Sequence, residues 1–430
     1  MRMADLSKWI AILLLGVVSL YVFRPRAHSA ALDVRGFETF ALARSLAEHR
    51  GFSDPFQAAS TGPSAHIGPL YPAYVALIMR LFGTGALGAR VLAWLTLLIL
   101  ILQLMLLPVL AQQLGLGFWS GLLAASGWLA AGIPPILTSE SGMAALLAVC
   151  ATFLMYRALS RKPSRSEIIL SGLLWGLLLL LQPVVLAVLP CWVLLLHFRS
   201  QDSWRQKIAL LLLPLVVVTP WIVRNWLVFH QPVFIRDNLG LELSVSNNPC
   251  ATPLFEANDA NGCFGLTHPN LNYDEAMKMQ QLGEVQYNRV RMREALAWIA
   301  GNPSAFATLS AERFVDFWVP PPGRNKGNGI VWRPWVLDLV TLLSIPGLIF
   351  MWKNARRAAY VIGLWLVFFP PIYYIIQFMD RYRYPIFWAT FLAAGYFVTE
   401  VAGAFVGNKV SETSDAKAHS EPVISEEGSL

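Results

Sequence analysis

The feature that most limits this chain is how far it runs without charge. Residues 91–156 hold one charged residue, Glu140, and residues 168–198 and 208–223 hold none. A charge at the centre of a membrane-crossing helix costs about 2.5–3.5 kcal/mol on insertion scales, whereas a water-facing helix needs a polar face. These runs therefore read as membrane spans. Composition points the same way. Of 430 residues, 56% are AVILMFWYC and 14% are charged, with a mean hydropathy of +0.52; soluble domains carry about 25% charged residues. A soluble enzyme, a disordered chain and a disulfide scaffold are excluded.

At roughly 20 apolar residues per crossing, ten spans are expected, at 8–23, 89–111, 118–135, 141–159, 167–182, 183–198, 208–224, 335–352, 358–376 and 385–404. Gln182-Pro183 separates two of them because proline breaks the helical ladder. The run Pro69–Phe82 is too short to cross and reads as an interfacial or re-entrant helix. If it lies flat, the basic loops 157–165, 199–207 and 353–357 fall on one side. The turns at 136–140 and 182–183, without Lys or Arg, then fall on the other. Basic loops stay in the cytoplasm, so both termini are expected there, with the first span a retained anchor. The net charge of +7, from 33 basic and 26 acidic residues, belongs to those loops. No basic stripe or aromatic-spaced basic motif suggests nucleic acid.

Four regions follow: a transmembrane core 1–224 containing a first outward loop (24–88), a second outward segment 225–334, C-terminal transmembrane helices 335–404, and a tail 405–430 expected to be disordered. In the second segment, Cys250 and Cys263 flank a polar loop and read as a disulfide in an oxidising compartment. Cys150 and Cys191 lie within spans and read as packing. A zinc site is not expected: His268 is near the cysteines, but no fourth ligand has recognisable spacing. Helices are expected at 274–300 and 304–318.

Charge is scarce, so each outward acid counts. Asp33 and Glu38 follow the first span, with Glu38 on a surface helix over 37–50, and Glu140 sits at the mouth of the third and fourth spans. If the early spans cluster, these acids meet and can supply a general base. Should a divalent metal take part, Glu38 and Glu140 are its expected ligands. Arg224, Arg381 and Arg383 end spans on the outward side, where a guanidinium can grip a phosphate through two parallel hydrogen bonds; His66 and Tyr71 stand in the loop that can reach the same phosphate. Solvated loop carboxylates and snorkelling arginines are the plain alternatives. A P-loop, a Gly-rich dinucleotide fingerprint and a His-Glu-x-x-His are all missing from the sequence.

Several motifs carry a resemblance: Asp33-Val34-Arg35-Gly36-Phe37-Glu38 leading to Ala43-Arg44-Ser45-Leu46, then Gly68-Pro69-Leu70-Tyr71-Pro72, Pro220-Trp221-Ile222-Val223-Arg224-Asn225, Ser246-Asn247-Asn248-Pro249 and Arg381-Tyr382-Arg383-Tyr384-Pro385. Over roughly 8–400 the chain resembles GT-C membrane glycosyltransferases, bacterial family 39-like members akin to protein mannosyltransferases and aminoarabinose transferases. The resemblance implies an all-α polytopic fold in a bacterial inner membrane. It also implies transfer of a sugar from a polyprenyl phosphate to a hydroxyl of a lipid, glycan or protein acceptor, with inversion and a carboxylate base. The usual first acid slot falls near Arg35 or Gly36, so Asp33 is early and Glu38 late; Glu38 is favoured, on the helix that would line the cavity. The rival readings are a lipid or polysaccharide transporter, for which internal repeats and charges within spans are missing, and a non-catalytic partner in cell-envelope glycan assembly.

Overall fold

A computed structural model describes residues 3–25, 37–199, 204–321 and 333–418. Among them there are helices and two isolated bridges, Ser53–Pro63 and Leu254–Phe378, but no sheet. Six helices are long and apolar enough to cross a membrane: Leu6–Phe23, Ala86–Gln113, Ser141–Ser160, Trp204–Phe229, Pro334–Asn354 and Asp380–Phe405. The protein is an integral membrane protein.

The other four expected spans fall on shorter helices, and local chemistry explains each end. Phe118–Ala131 stops at Gly132, whose left-handed conformation terminates a helix without a Cβ penalty. Arg165–Leu181 starts with a capping box, Ser164 accepting from Glu167 N–H while Glu167 reaches back. It stops at Gln182 before the single-turn helix Pro183–Ala187, and Val188–Arg199 follows. The span expected at 358–376 is cut short. Its helix, Arg356–Phe368, ends before Pro370-Pro371, and the chain continues as a short 3-10 turn, Pro371–Tyr374. Pro69–Phe82 is short, as expected, with a helix over Leu70–Phe82.

These helices share a polarity. Ser141–Ser160 begins at Glu140 and ends at the basic loop holding Arg161. Arg165–Leu181 returns from that loop to Gln182, and Val188–Arg199 goes back again. Arg356–Phe368 likewise starts among basic residues. Arg199 donates to Tyr360 Oη at 2.5 Å, so two basic loops touch. The basic residues thus gather at one end and the mouths at 136–140, 182–187 and 369–382 at the other.

Packing between apolar helices in lipid depends on close approach rather than on hydrophobic contrast, which favours small residues. Gly172 and Gly176, one turn apart, face Leu213 and Val217 of Trp204–Phe229, and a Cβ on either glycine would stand 2.4 Å from its neighbour. Buried indoles fill the centre: Trp175 stacks on Trp365 at 5.5 Å and on Trp192 at 6.0 Å, and Trp365 donates to Thr152 at 2.8 Å.

The segment after Phe229 forms six short helices, Leu239–Ser246, Phe255–Ala260, Cys263–Thr267, Tyr273–Leu282, Glu284–Gly301 and Pro303–Trp318. The single helix expected over 274–300 is two, broken at Gly283 (φ 75°). Cys250 and Cys263 form the expected disulfide. The final helix continues to Ala418, past the start of the tail expected to be disordered.

Candidate functional site

The early polar loop is fastened to the later segment by its backbone. Arg224 donates to the carbonyls of Ser64 (2.7 Å) and Phe52 (2.9 Å). Ala65 N–H donates to Glu284 at 2.6 Å, Asp237 N–H to the Ala65 carbonyl at 2.9 Å, and Arg236 Nε to the His66 carbonyl at 3.1 Å. Gln57 N–H donates to Asn270 at 3.2 Å. Residues some two hundred positions apart are thereby held as one wall, with His66 and His268 inside it.

Beneath this wall lies a cavity of about 940 Å³, within the usual range for a small-molecule site. Glu38 enters it from the first turn of Glu38–Ala47, and Glu140 from the start of Ser141–Ser160. The broken stretch after Pro370-Pro371 supplies Tyr373, Asp380, Arg381 and Tyr382. The later segment adds Arg236, Glu242, Glu256 and His268. Apolar side chains complete the lining, Ile136, Val184, Leu186, Phe368, Phe369 and Ile372 among them.

Electrostatics in this space are set by lost water. Burial pushes the Glu38 carboxyl up, and the nearby Arg381 guanidinium partly offsets this. Glu242 is raised for the same reason, against Arg236 and Arg381, with Asn238 donating to it at 3.3 Å. Burial drives His66 well below its ordinary range and His268 down to about 3, so both imidazoles are neutral. Behind the wall, Glu284 is pushed up to about 8 and Asp237 to about 6, again by burial. Among the described residues, the ligand atoms of Glu38, His66 and His268 all lie within 4.8 Å of one another. Glu38 and Glu140, the metal ligands expected from sequence, both line the cavity; the group of three joins Glu38 to two histidines. His268 finds its partners across space, where chain spacing gave no sign of them.

An oligosaccharyltransferase from Archaeoglobus fulgidus, in the apo form, is similar over 95% of this chain and 52% of its own, at 13% identity and a TM-score of 0.53. The same protein in complex with zinc and sulfate gives 14% identity and a TM-score of 0.52, over 92% of this chain and 49% of its own. The fold is GT-C-like. ArnT from Cupriavidus metallidurans, bound to undecaprenyl phosphate, aligns over 95% of this chain and 80% of its own at 14% identity, with a TM-score of 0.37. The chain spans about half the length of the oligosaccharyltransferase it matches. No protein-family model and no curated protein matches the sequence.

Within this GT-C-like fold the residues expected at the site separate into two groups. Glu38, Glu140, His66 and Arg381 line one cavity. Arg224 does not; its guanidinium clamps the early loop and lies over the Trp221 ring at 4.8 Å. Arg383 is also elsewhere, buried, donating to the carbonyls of Phe317 and Trp318 and to Thr341. Tyr71 donates to the Leu137 carbonyl at 2.7 Å and so fixes the turn that presents Glu140. Asp33 lies outside the described residues. Sequence reasoning missed Arg236 and Glu242, which sit in a long polar segment where charge is common and spacing gives no cue.

Proposed function

We propose that this chain moves a sugar from a polyprenyl phosphate to an acceptor hydroxyl of a lipid, glycan or protein, with inversion, at the membrane face opposite its basic loops. The observation that carries this reading is one cavity that combines carboxylates from several elements, two guanidiniums and a set of apolar side chains. Arg381 and Arg236 grip the donor phosphate, countering the charge that grows on it as the glycosidic bond breaks. Phosphate is a competent leaving group, so no strong general acid is needed. Glu140 accepts the proton of the incoming hydroxyl. Glu38, held beside two imidazoles, orients the reacting groups, and Asp33 precedes it. The prenyl chain lies along Val184, Leu186, Phe368 and Phe369. In this arrangement both termini are cytoplasmic and the membrane is a bacterial inner membrane; thiol labelling of Pro163→Cys from inside and Ala260→Cys from outside tests that topology.

The decisive experiment is transfer by purified protein from radiolabelled polyprenyl-phosphate sugars to membrane acceptors. Wild type is compared with Glu38→Gln, Asp33→Asn and Glu140→Gln, and the anomeric configuration of the product is read by NMR. Activity untouched by all three substitutions, or a retained configuration, overturns the mechanism.

A further inference from the structure

We infer that the basic end of the molecule carries a binding site for an anionic glycerophospholipid, centred on Arg199, Trp352, Arg356 and Tyr360. The site lies at the other ends of helices that reach the cavity: Val188–Arg199 follows Ala187 and Arg356–Phe368 ends at Phe368, both cavity residues. It owes nothing to the reaction proposed above.

Tyr360 pins three helix ends together. Arg199, which closes Val188–Arg199, donates to the Tyr360 hydroxyl at 2.5 Å, and its guanidinium lies over the Tyr360 ring at 4.7 Å. Trp352, near the end of Pro334–Asn354, meets the same ring at a near-right angle, 5.2 Å between centroids. Arg356 Nε donates to the Trp352 carbonyl at 3.3 Å. Two guanidiniums from two loops are thereby anchored around one aromatic pair. Each spends one of its N–H donors among the described residues. A guanidinium carries five, so both keep donors for phosphate oxygens.

Basic loops gathered on one side of a membrane are the rule and by themselves mark no site. The absence of counter-charge sets this cluster apart. In the neighbouring basic loop, Arg157 and Arg161 pair with Glu167 at 3.0 and 2.7 Å. Arg199, Arg205, Lys353, Arg356 and Arg357 are exposed, and among the described residues none of them has an ion pair. Glu400 lies at this end, but its carboxylate meets Tyr396, which also bonds with Asn354. Basic pockets between the ends of membrane helices hold anionic headgroups.

Depth selects the partner. Phe198, Trp204 and Trp352 are exposed at these same helix ends, as aromatic side chains are at the headgroup level. Leu194 stands one turn from Phe198, and Ile349 and Ile345 stand one and two turns from Trp352, all exposed. A phosphate at this level, with acyl chains along these two stripes, belongs to a phospholipid. Guanidiniums on two loops suit a lipid with two phosphates, each gripped by parallel hydrogen bonds. Bound there, the lipid joins the two loops and stabilises the folded chain.

The test needs no sugar donor. Purified protein in neutral detergent, cleared of copurified lipid, is titrated with cardiolipin, phosphatidylglycerol, phosphatidylcholine and inorganic phosphate. Tm and native mass spectrometry are read for each. Cardiolipin and phosphatidylglycerol should raise Tm and stay on the chain in the spectrometer, cardiolipin at the lower concentration. Phosphatidylcholine and inorganic phosphate should do neither. Arg199→Gln, Arg356→Gln and Lys353→Gln should each raise the half-saturating cardiolipin concentration roughly fivefold, the worth of one basic residue at an anionic surface. Arg161→Gln removes the same charge from the paired loop and should leave it within twofold. If Arg199→Gln does not fold, Arg356→Gln and Lys353→Gln still decide. Four results overturn the site: no shift with either anionic lipid; an equal shift with phosphatidylcholine; an equal shift with inorganic phosphate; or equal weakening by Arg161→Gln and Lys353→Gln, which makes the attraction a diffuse property of net charge.

Discussion

Arg381 and Arg383 stand two residues apart on one short turn, Asp380–Arg383, and do opposite things. Arg381 faces the cavity. Arg383 points the other way, 1% exposed, its fork filled by two backbone carbonyls and a hydroxyl. Arg236 does both, lining the cavity while its Nε donates to the His66 carbonyl, whereas Arg313 is buried and donates to Asn247 and to the carbonyls of Ser246 and Ile375. Arg224 belongs with the second group. A guanidinium whose donors are spent on carbonyls braces the wall; one left facing open space can meet a ligand. Residue type does not separate the two; the groups that each guanidinium meets do.

The sharpest way to break this division is at the acid that the bracing presents. Glu140→Gln should lower sugar transfer by about 10²–10⁴-fold with an unchanged Tm; a matching fall in Tm would make Glu140 a structural residue. Next comes the brace itself. Arg383→Ala removes three hydrogen bonds from a buried site and should cost about 3 kcal/mol of stability, read as a lower melting temperature in detergent. A wild-type melt would dissolve the distinction drawn here. Arg381→Ala, by contrast, should leave the melt unchanged and raise KM for the lipid-linked donor by roughly tenfold or more, the worth of a charge-assisted hydrogen bond.

The smallest effect concerns Glu284, which ties the Ala65 N–H to the later segment and whose carboxyl is pushed up to about 8 from an ordinary 4.5. The folded state therefore holds this proton more tightly than the unfolded chain does. The resulting stability is full below the ordinary value and is lost as pH rises through about 8. Asp237, at about 6, acts in the same sense. The two depressed histidines act oppositely, costing stability as pH falls below their ordinary range. Glu284→Gln should flatten the decline of Tm between pH 4.5 and about 8 and leave the profile below that window as it is; an unchanged slope within it would remove Glu284 from the account.

How much could be read in advance differs between fold and site. Spans are legible because the cost of burying a charge clears long stretches of the sequence, and the basic loops fix which helix ends lie together. Two spans were drawn too long: 118–135 ran past Gly132, and 358–376 ran through Pro370-Pro371, stop signals outweighed by the apolar residues around them. Glu140 was legible for the same reason as the spans, as one acid in 66 otherwise uncharged residues. Arg236, Glu242 and the pairing of His66 with His268 were not. They depend on backbone hydrogen bonds between distant segments, such as Asp237 to Ala65, that no local pattern announces. Cys250 and Cys263 could be paired because a polar loop held just two thiols; what their closure holds in place could not be seen.

That closure sets a timetable for the molecule. Cys263 opens the short helix Cys263–Thr267, directly ahead of His268. The bridge tethers the start of the helix that leads to that imidazole. Completion waits for an oxidant, which a reducing cytosol withholds. On the topology proposed above, the bridge closes only after this loop has been delivered across the bilayer.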